Sequence, residues 1–425
     1  MTTDDRAQAD DRRAPRDRPP PLGGAFWRLW TSAALSNLAD GIFKVALPLV
    51  AIRFTDSPTL IAGLTFALTL PWLLFALPAG ALADRLDRRR AMLGANTARA
   101  VLLAVLVLTA ATGNGSIWVL YAVALCVGVT ETIYDTSAQS ILPQVVPRER
   151  LSRANGRLHA AELTANEFVG PPLGGFLVAA GVVAAFTAPV ALWAAAVVML
   201  LFMRGSFRVE RDRRTTMRAD IAEGLRFLWR HRLLRTLAAM VGVANFATNA
   251  TWAILVLYAV GPGSAMGLSE PAYGLLLTAV AAGSLLGALI AERVERLLGR
   301  SRSLALTILT GVFFLGAPAV TADPFVIGAV FFAGGVSIAV WNVITVSLRQ
   351  RITPDRLLGR LNSAYRLLAW GTIPLGAAAG GLLAQFFGLR AVFAVMALLT
   401  LARIAGMAVV NDKAMDAAER GAGQP

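Results

Sequence analysis

The chain has 425 residues, 56% of them hydrophobic and 16% charged, with a mean hydropathy of +0.61. Soluble domains carry about a quarter charged residues, so this composition excludes an ordinary water-soluble protein and points to one embedded in a membrane. A single cysteine (Cys126) excludes an internal disulfide or a thiolate metal site, two histidines (His159 and His231) do not build a zinc centre alone, and the net charge of +14 argues for nucleic acid only if it forms one patch.

Residues 1–25 are polar, charged and proline-rich, with no apolar core before Phe26, which predicts a disordered cytosolic tail and not a signal peptide. Apolar blocks follow at about 27–51, 59–82, 91–112, 116–138, 157–180 and 183–203, then at about 235–260, 272–291, 303–321, 324–347, 361–386 and 389–410. A helix crosses a bilayer in about 20 residues, and the alternating ten-residue segments of a barrel are absent. The expected fold is all-α and membrane-integral: twelve transmembrane helices in two six-helix halves, 26–205 and 235–411. Within the 206–234 linker, Met217, Ile221, Leu225 and Leu228 recur at helical spacing among arginines, predicting an amphipathic helix on the membrane surface. Residues 412–425 read as a second cytosolic tail.

Lys and Arg sort by side. Thirty-four lie in the two tails, the central linker and the loops after the second, fourth, eighth and tenth spans; the opposite loops hold only Arg53 and Arg390. That bias predicts a multi-pass protein of the inner (plasma) membrane with both termini cytoplasmic. Positive charge spread in this way is a topology signal, so nucleic acid is not an expected partner.

The halves repeat. At an offset of 207, Gly80-Ala81-Leu82 matches Gly287-Ala288-Leu289, and Pro147, Leu151, Arg153 and Asn155 match Pro354, Leu358, Arg360 and Asn362; Gly174-Gly175 recurs as Gly380-Gly381, and Asp84-Arg85 is echoed by Glu292-Arg293. Two six-helix halves in parallel repeat imply an alternating-access transporter with its substrate between them near the midplane.

The loop after the second span runs Gly80-Ala-Leu-Ala-Asp84-Arg85-Leu-Asp87-Arg88-Arg89-Arg90. It resembles the signature loop between the second and third helices of the major facilitator superfamily (MFS), a resemblance that extends from about Phe26 to Val410. Asp87 stands where that family usually has glycine. The resemblance implies that Asp84 faces the N-terminus of the eleventh span and that Arg88 pairs with Asp135, so that Gly80, Asp84, Arg85, Arg88, Arg89 and Asp135 form a cytoplasmic gate. In the fifth span, Gly170-Pro171-Pro172-Leu173-Gly174-Gly175 allows close helix approach and bends the chain. It is similar to the core of the antiporter motif of drug:proton exporters in that superfamily, although Arg157 and Asn166 replace two of its glycines; close packing indifferent to transport direction is the other reading. The stretches 135–156 and 223–231 are similar to macrolide-efflux and enterobactin-exporter-like members. This resemblance implies proton-driven export of amphipathic compounds.

Charges inside the membrane are costly, and each needs a reason. Asp40 and Lys44, one turn apart in the first span, either neutralise each other or exchange when Asp40 takes a proton, and Asn37 serves either arrangement. Glu131 and Asp135 share a face of the fourth span, where two carboxylates repel until a cation or a proton intervenes. Arg99 is a counter-ion or a snorkelling side chain, and Glu167 lies deep beside the Gly-Pro motif. Asp40, Glu131, Lys44, Arg99 and Glu167 are therefore the candidate proton-coupling residues. In the second half the deep polar groups are mostly neutral. Together with Asn37, the residues Asn245, Asn249, Trp341, Asn342, Tyr365, Arg366 and Trp370 are the candidate substrate-cavity residues.

The expected function is a proton-coupled antiporter exporting amphipathic small molecules such as drugs or secondary metabolites. No cofactor is expected beyond the proton gradient as energy source, and the expected partners are the small molecule and the bilayer, with the chain a monomer. An importer on the same fold and a membrane sensor or scaffold without transport are the alternatives. An enzyme is not expected, because neither histidine stands beside a serine nucleophile and an acid.

Overall fold

The structure is a computed structural model that describes residues 22–85, 87–205, 207, 217–261 and 263–422; the side chains of 76–85, 148, 217–221, 355, 356, 359, 363 and 422 fall outside that description. Most of the predicted N-terminal tail therefore lies outside the described residues.

The first half consists of α1 (Gly23–Ala51), α2 (Pro58–Arg85), α3 (Arg88–Ala111), α4 (Ile117–Val145), a composite fifth span and α7 (Val182–Leu201). The composite span joins α5 (Leu151–Glu162), a π-helical stretch (Leu163–Val169) and α6 (Gly170–Ala180). The linker helix α8 (Met217–Arg230) leads into α9 (Arg232–Ala259), α10 (Glu270–Leu298), α11 (Arg300–Val320), α12 (Pro324–Ile352), α13 (Asp355–Phe387) and α14 (Leu389–Ala402), which a 3-10 segment (Arg403–Ala408) prolongs. A last helix, α15 (Asp412–Ala422), follows. Among the described residues eleven helices are long and apolar enough to cross a membrane; the interrupted fifth span completes the twelve. No strand occurs among them beyond an isolated bridge between Val260 and Leu268.

The interruption has a covalent cause. Pro171 and Pro172 carry no N–H, so the carbonyls of Glu167 and Phe168 lose their α-helical donors. The Gly170 N–H bonds the Ala165 carbonyl five residues back, which is the wide register of a π-helix. The freed Phe168 carbonyl receives the Thr278 hydroxyl of α10, in the other half, at 3.4 Å.

The small-residue motif fits this packing and exposes a longer repeat. A Cβ on Gly170 would lie 2.7 Å from the Gly41 Cα of α1, and one on Gly376 would lie 2.3 Å from the Phe246 carbonyl of α9. Gly174 likewise meets Ile42 of α1, and Gly380 meets Ala250 of α9. The third glycine of each set crosses to the opposite half, Gly175 onto Glu270 and Gly381 onto Pro58 and Ala62. Thus Gly170-x3-Gly174-Gly175 and Gly376-x3-Gly380-Gly381 make equivalent contacts, in keeping with small residues drawing membrane helices together.

These crossings, an Arg53–Glu270 ion pair at 3.3 Å and a Ser57–Gln385 hydrogen bond at 3.3 Å close the halves on the arginine-poor side. Trp72 and Trp370 also meet between the halves, edge-to-face at 5.5 Å, while Trp370 stays 41% exposed. On the arginine-rich side α8 and α15 both attach to the second half. Gly224 abuts the Arg360 backbone and Glu223 pairs with Arg360. Arg300 pairs with Asp416 and, at 2.7 Å, with Glu419.

Candidate functional site

Three helices of the first half bring five ionisable groups together: Asp40 and Lys44 on α1, Arg99 on α3, and Glu131 and Asp135 on α4. The spacing within α1 suggests an Asp40–Lys44 pair, but the structure crosses the partners. Lys44 bonds Glu131 at 3.0 Å, and Arg99 lies 3.4 Å from Asp40. A lysine can reach sideways to a neighbouring helix as easily as along its own. Asp135 has no ion-pair partner among the described residues.

Arg99 does not snorkel. It is fully buried, and its Nη1 also donates to the Ser36 hydroxyl at 3.2 Å and to Asn96 Oδ1 at 3.4 Å. Its guanidinium lies over the Tyr134 and Trp193 rings, 5.2 and 5.6 Å from their centroids, a cation–π arrangement suited to a buried cation. The hold on Asp40 is loose: a 3.4 Å contact exceeds the usual hydrogen-bond range, and the second oxygen, Oδ1, has no partner. Ser36, Asn96, Tyr134 and Trp193 were missed in the sequence. The first two fall one turn before Asp40 and just before Arg99, so helical spacing from a deep charge was the available signal.

Gly80, Asp84 and Arg85 of the expected gate have side chains outside the described residues. Arg88 donates to the Ser140 carbonyl, beyond Asp135 on α4. Arg89 places Nε 2.7 Å from the Leu200 carbonyl and Nη2 2.9 Å from that of Leu201, capping the negative end of α7. Asp87 explains its own departure from glycine. Its backbone is extended, its carboxylate caps α3 through the Arg90 N–H at 3.0 Å, and it accepts the Phe207 N–H of the linker at 2.7 Å.

Burial works to raise the Asp87 carboxyl, but those backbone N–H bonds outweigh it and hold the group below the usual carboxylate range. Its stabilisation is thus complete above the ordinary aspartate value and fades as pH falls through the lowered one. Asp87→Ala is expected to cost about 0.5–2 kcal/mol, as for other lost caps. Unfolding temperatures measured against pH should separate the two proteins at pH 7 and converge in strong acid; a constant gap would mean the carboxylate is not the cause.

Of the expected cavity residues, Arg366 and Trp370 lie where the two halves meet. Arg366 stacks on Trp370 at 4.3 Å and reaches Gln139 of the other half at 3.4 Å. Trp72, their partner from α2, was not expected. Asn245 spends its amide on the Ala369 carbonyl at 2.7 Å, Asn249 on that of Asn245 and Asn37 on that of Ala33. Trp341 and Tyr365 are instead buried in the second half's core, where Arg403 lies over the Trp341 ring at 4.8 Å and Arg349 over the Tyr365 ring at 4.2 Å, a cation–π arrangement. Asn342 is exposed, and Glu167 is exposed on the π-helical stretch. No group of three or more His, Cys, Asp and Glu side chains among the described residues is arranged to hold a metal ion.

A family profile described as "Transmembrane secretion effector" matches residues 20–424. The multidrug efflux pump Tap of Mycolicibacterium fortuitum is 29% identical over 386 residues, covering 86% of this chain and 91% of Tap. The uncharacterized MFS-type transporter y4rN of Sinorhizobium fredii is 28% identical over 392 residues, covering 91% and 95%. Among solved structures, a bacterial homologue of the iron transporter ferroportin in an inward-facing state aligns with a TM-score of 0.72 at 16% identity, covering 90% of this chain and 98% of that one. The nucleoside transporter NupG aligns with a TM-score of 0.67 at 12% identity, covering 90% and 99%. At such identities the structures establish a common fold alone.

Proposed function

Because the chain belongs to the transmembrane secretion effector family of the major facilitator superfamily, we propose that it exports amphipathic small molecules in exchange for protons, with its arginine-rich side and both termini in the cytoplasm. One observation carries the proton: Glu131 and Asp40 each meet a cation, Lys44 and Arg99, whereas Asp135 beside them has no ion-pair partner among the described residues, and the further cation Arg366, of the other half, bonds Gln139 one turn away. An unpaired charge inside a membrane costs at least about 2.5 kcal/mol on insertion scales, and a proton bound by Asp135 removes it. Glu131 is tied to Lys44, so the proton belongs to Asp135 and to the loosely held Asp40. Asp40 precedes Gly41, whose backbone abuts Asn166 and Gly170 of the fifth span. A change of charge at Asp40 thereby bears on the helix whose Gly175 seals the arginine-poor side. The relatives named multidrug efflux pumps support export of drug-like cargo, and the Trp72–Trp370 pair offers amphipathic molecules an aromatic wall.

Everted membrane vesicles with an acid interior test this reading. Amphipathic compounds added outside are expected to release protons from vesicles holding the wild type. Asp135→Asn and Asp40→Asn are expected to abolish the release, whereas Glu131→Gln, which strands Lys44, should also reduce the amount of folded protein. Release unchanged in both aspartate variants would sink the site assignment. Compound accumulation above the outside concentration that persists after the gradient is collapsed would sink proton coupling itself.

A further inference from the structure

On the arginine-rich surface of the second half, the junction of α8 and α9 faces α15 across a cavity of about 500 Å³. Arg230, His231 and Arg232 line one wall; Asn411, Val409 and a run of α15 alanines line the other. No carboxylate lines it. The acids of α15 are engaged elsewhere: Asp412 accepts the Ser301 N–H at 3.0 Å, and Asp416 and Glu419 pair with Arg300. Neither Arg230 nor Arg232 has an ion-pair partner among the described residues. His231 accepts the Leu234 N–H at Nδ1, 3.5 Å away, which leaves Nε2 as the donor of the neutral ring. The cavity thus presents donors and positive charge without a matching acceptor.

Its position narrows the ligand. Arg232 opens the membrane-crossing helix α9, and the neighbouring Trp229 is 56% exposed, as indoles are at the headgroup level of a bilayer. Basic pockets at that depth collect anionic headgroups. We propose that this cavity binds the phosphate of an anionic phospholipid headgroup, held by Arg230, Arg232 and His231. The bound lipid bridges the linker helix and α15, which otherwise attach separately to the second half. The site is independent of what the protein exports.

The test uses the purified full chain in neutral detergent, titrated with phosphatidylglycerol, phosphatidylcholine or inorganic phosphate. Lipid adducts are counted by native mass spectrometry, and unfolding temperatures are followed in parallel. Phosphatidylglycerol is expected to bind roughly ten-fold or more tightly than phosphatidylcholine, in line with the worth of two basic residues near a membrane surface. Arg230→Gln with Arg232→Gln should erase that preference. Ala417→Leu, which narrows the cavity without changing charge, should weaken it, and Arg226→Gln, on α8 outside the lining, should not. A preference unchanged in both the double variant and Ala417→Leu would overturn the site. Stabilisation by inorganic phosphate that disappears in those variants, with no preference between lipids, would overturn the lipid and assign the cavity to a soluble phosphate.

Discussion

Arg99→Leu is expected to destabilise the first half more than any other single substitution in the charged cluster. The wild-type guanidinium is fully buried, serves Asp40, Ser36 and Asn96 through one nitrogen, and lies between the rings of Tyr134 and Trp193. Removing one member of a buried pair strands the other, at a cost of about 3–5 kcal/mol, against a total of about 5–15 kcal/mol for a typical domain. The yield of monodisperse protein should fall several-fold, and the unfolding temperature in detergent should drop. Arg99→Lys keeps the charge but not the planar fork or the ring stacking, so an intermediate loss is expected. The decisive variant combines Arg99→Leu with Asp40→Leu. With both charges gone, most of the stability should return while compound-driven proton release stays absent. A wild-type unfolding temperature in Arg99→Leu alone would mean that Arg99 does not neutralise Asp40 in the folded protein.

The same residues mark how far the sequence could be read. Span positions and the repeat are legible because a bilayer imposes length and hydrophobicity on each segment separately, and those are properties of a one-dimensional string. Deep charges are legible for the same reason, so Asp40, Lys44, Arg99, Glu131 and Asp135 all stand out. Their pairing does not follow from the string. Spacing along α1 joins Asp40 to Lys44, but the rotations of α3 and α4 about their own axes decide that Arg99 takes the first and Glu131 the second. Trp341 and Tyr365 illustrate the same gap from the other direction. An aromatic residue at membrane depth suits a cavity wall and a packed core equally, and only the arrangement of Arg403, Arg349 and α9 puts these two in the core. The π-helical stretch was half legible: two adjacent prolines announce freed carbonyls, while the donor that one of them receives, Thr278, lies 110 residues away in the other half.

Gly175→Leu and Gly274→Leu are expected to stop transport while leaving the protein folded. A Cβ on Gly175 would lie 2.3 Å from the Glu270 carbonyl oxygen, and one on Gly274 would lie 2.4 Å from that of Pro171. Both obstacles are backbone, which no rotamer change moves aside, so the halves must separate on the arginine-poor side. Overpacking costs about 1–3 kcal/mol in a packed core, equivalent to a shift of roughly five-fold to 150-fold away from this closed state. The penalty falls on one conformation and not on the fold, because opening this side relieves it. In a Cys126→Ser background, Arg53→Cys and Glu270→Cys place thiols where the wild-type side chains meet at 3.3 Å. A short bis-maleimide should join them readily, and about ten-fold more slowly once Gly175→Leu is added. Transport at the wild-type rate in Gly175→Leu would mean that the cycle does not pass through this packing. Slowed cross-linking together with lost transport would tie the two. Gly381, which crosses to Pro58 and Ala62 in the equivalent place, supplies the last discrimination. If the repeat closes symmetrically, Gly381→Leu should give the same pair of results; loss confined to Gly175 would assign the seal to the fifth span and α10 alone.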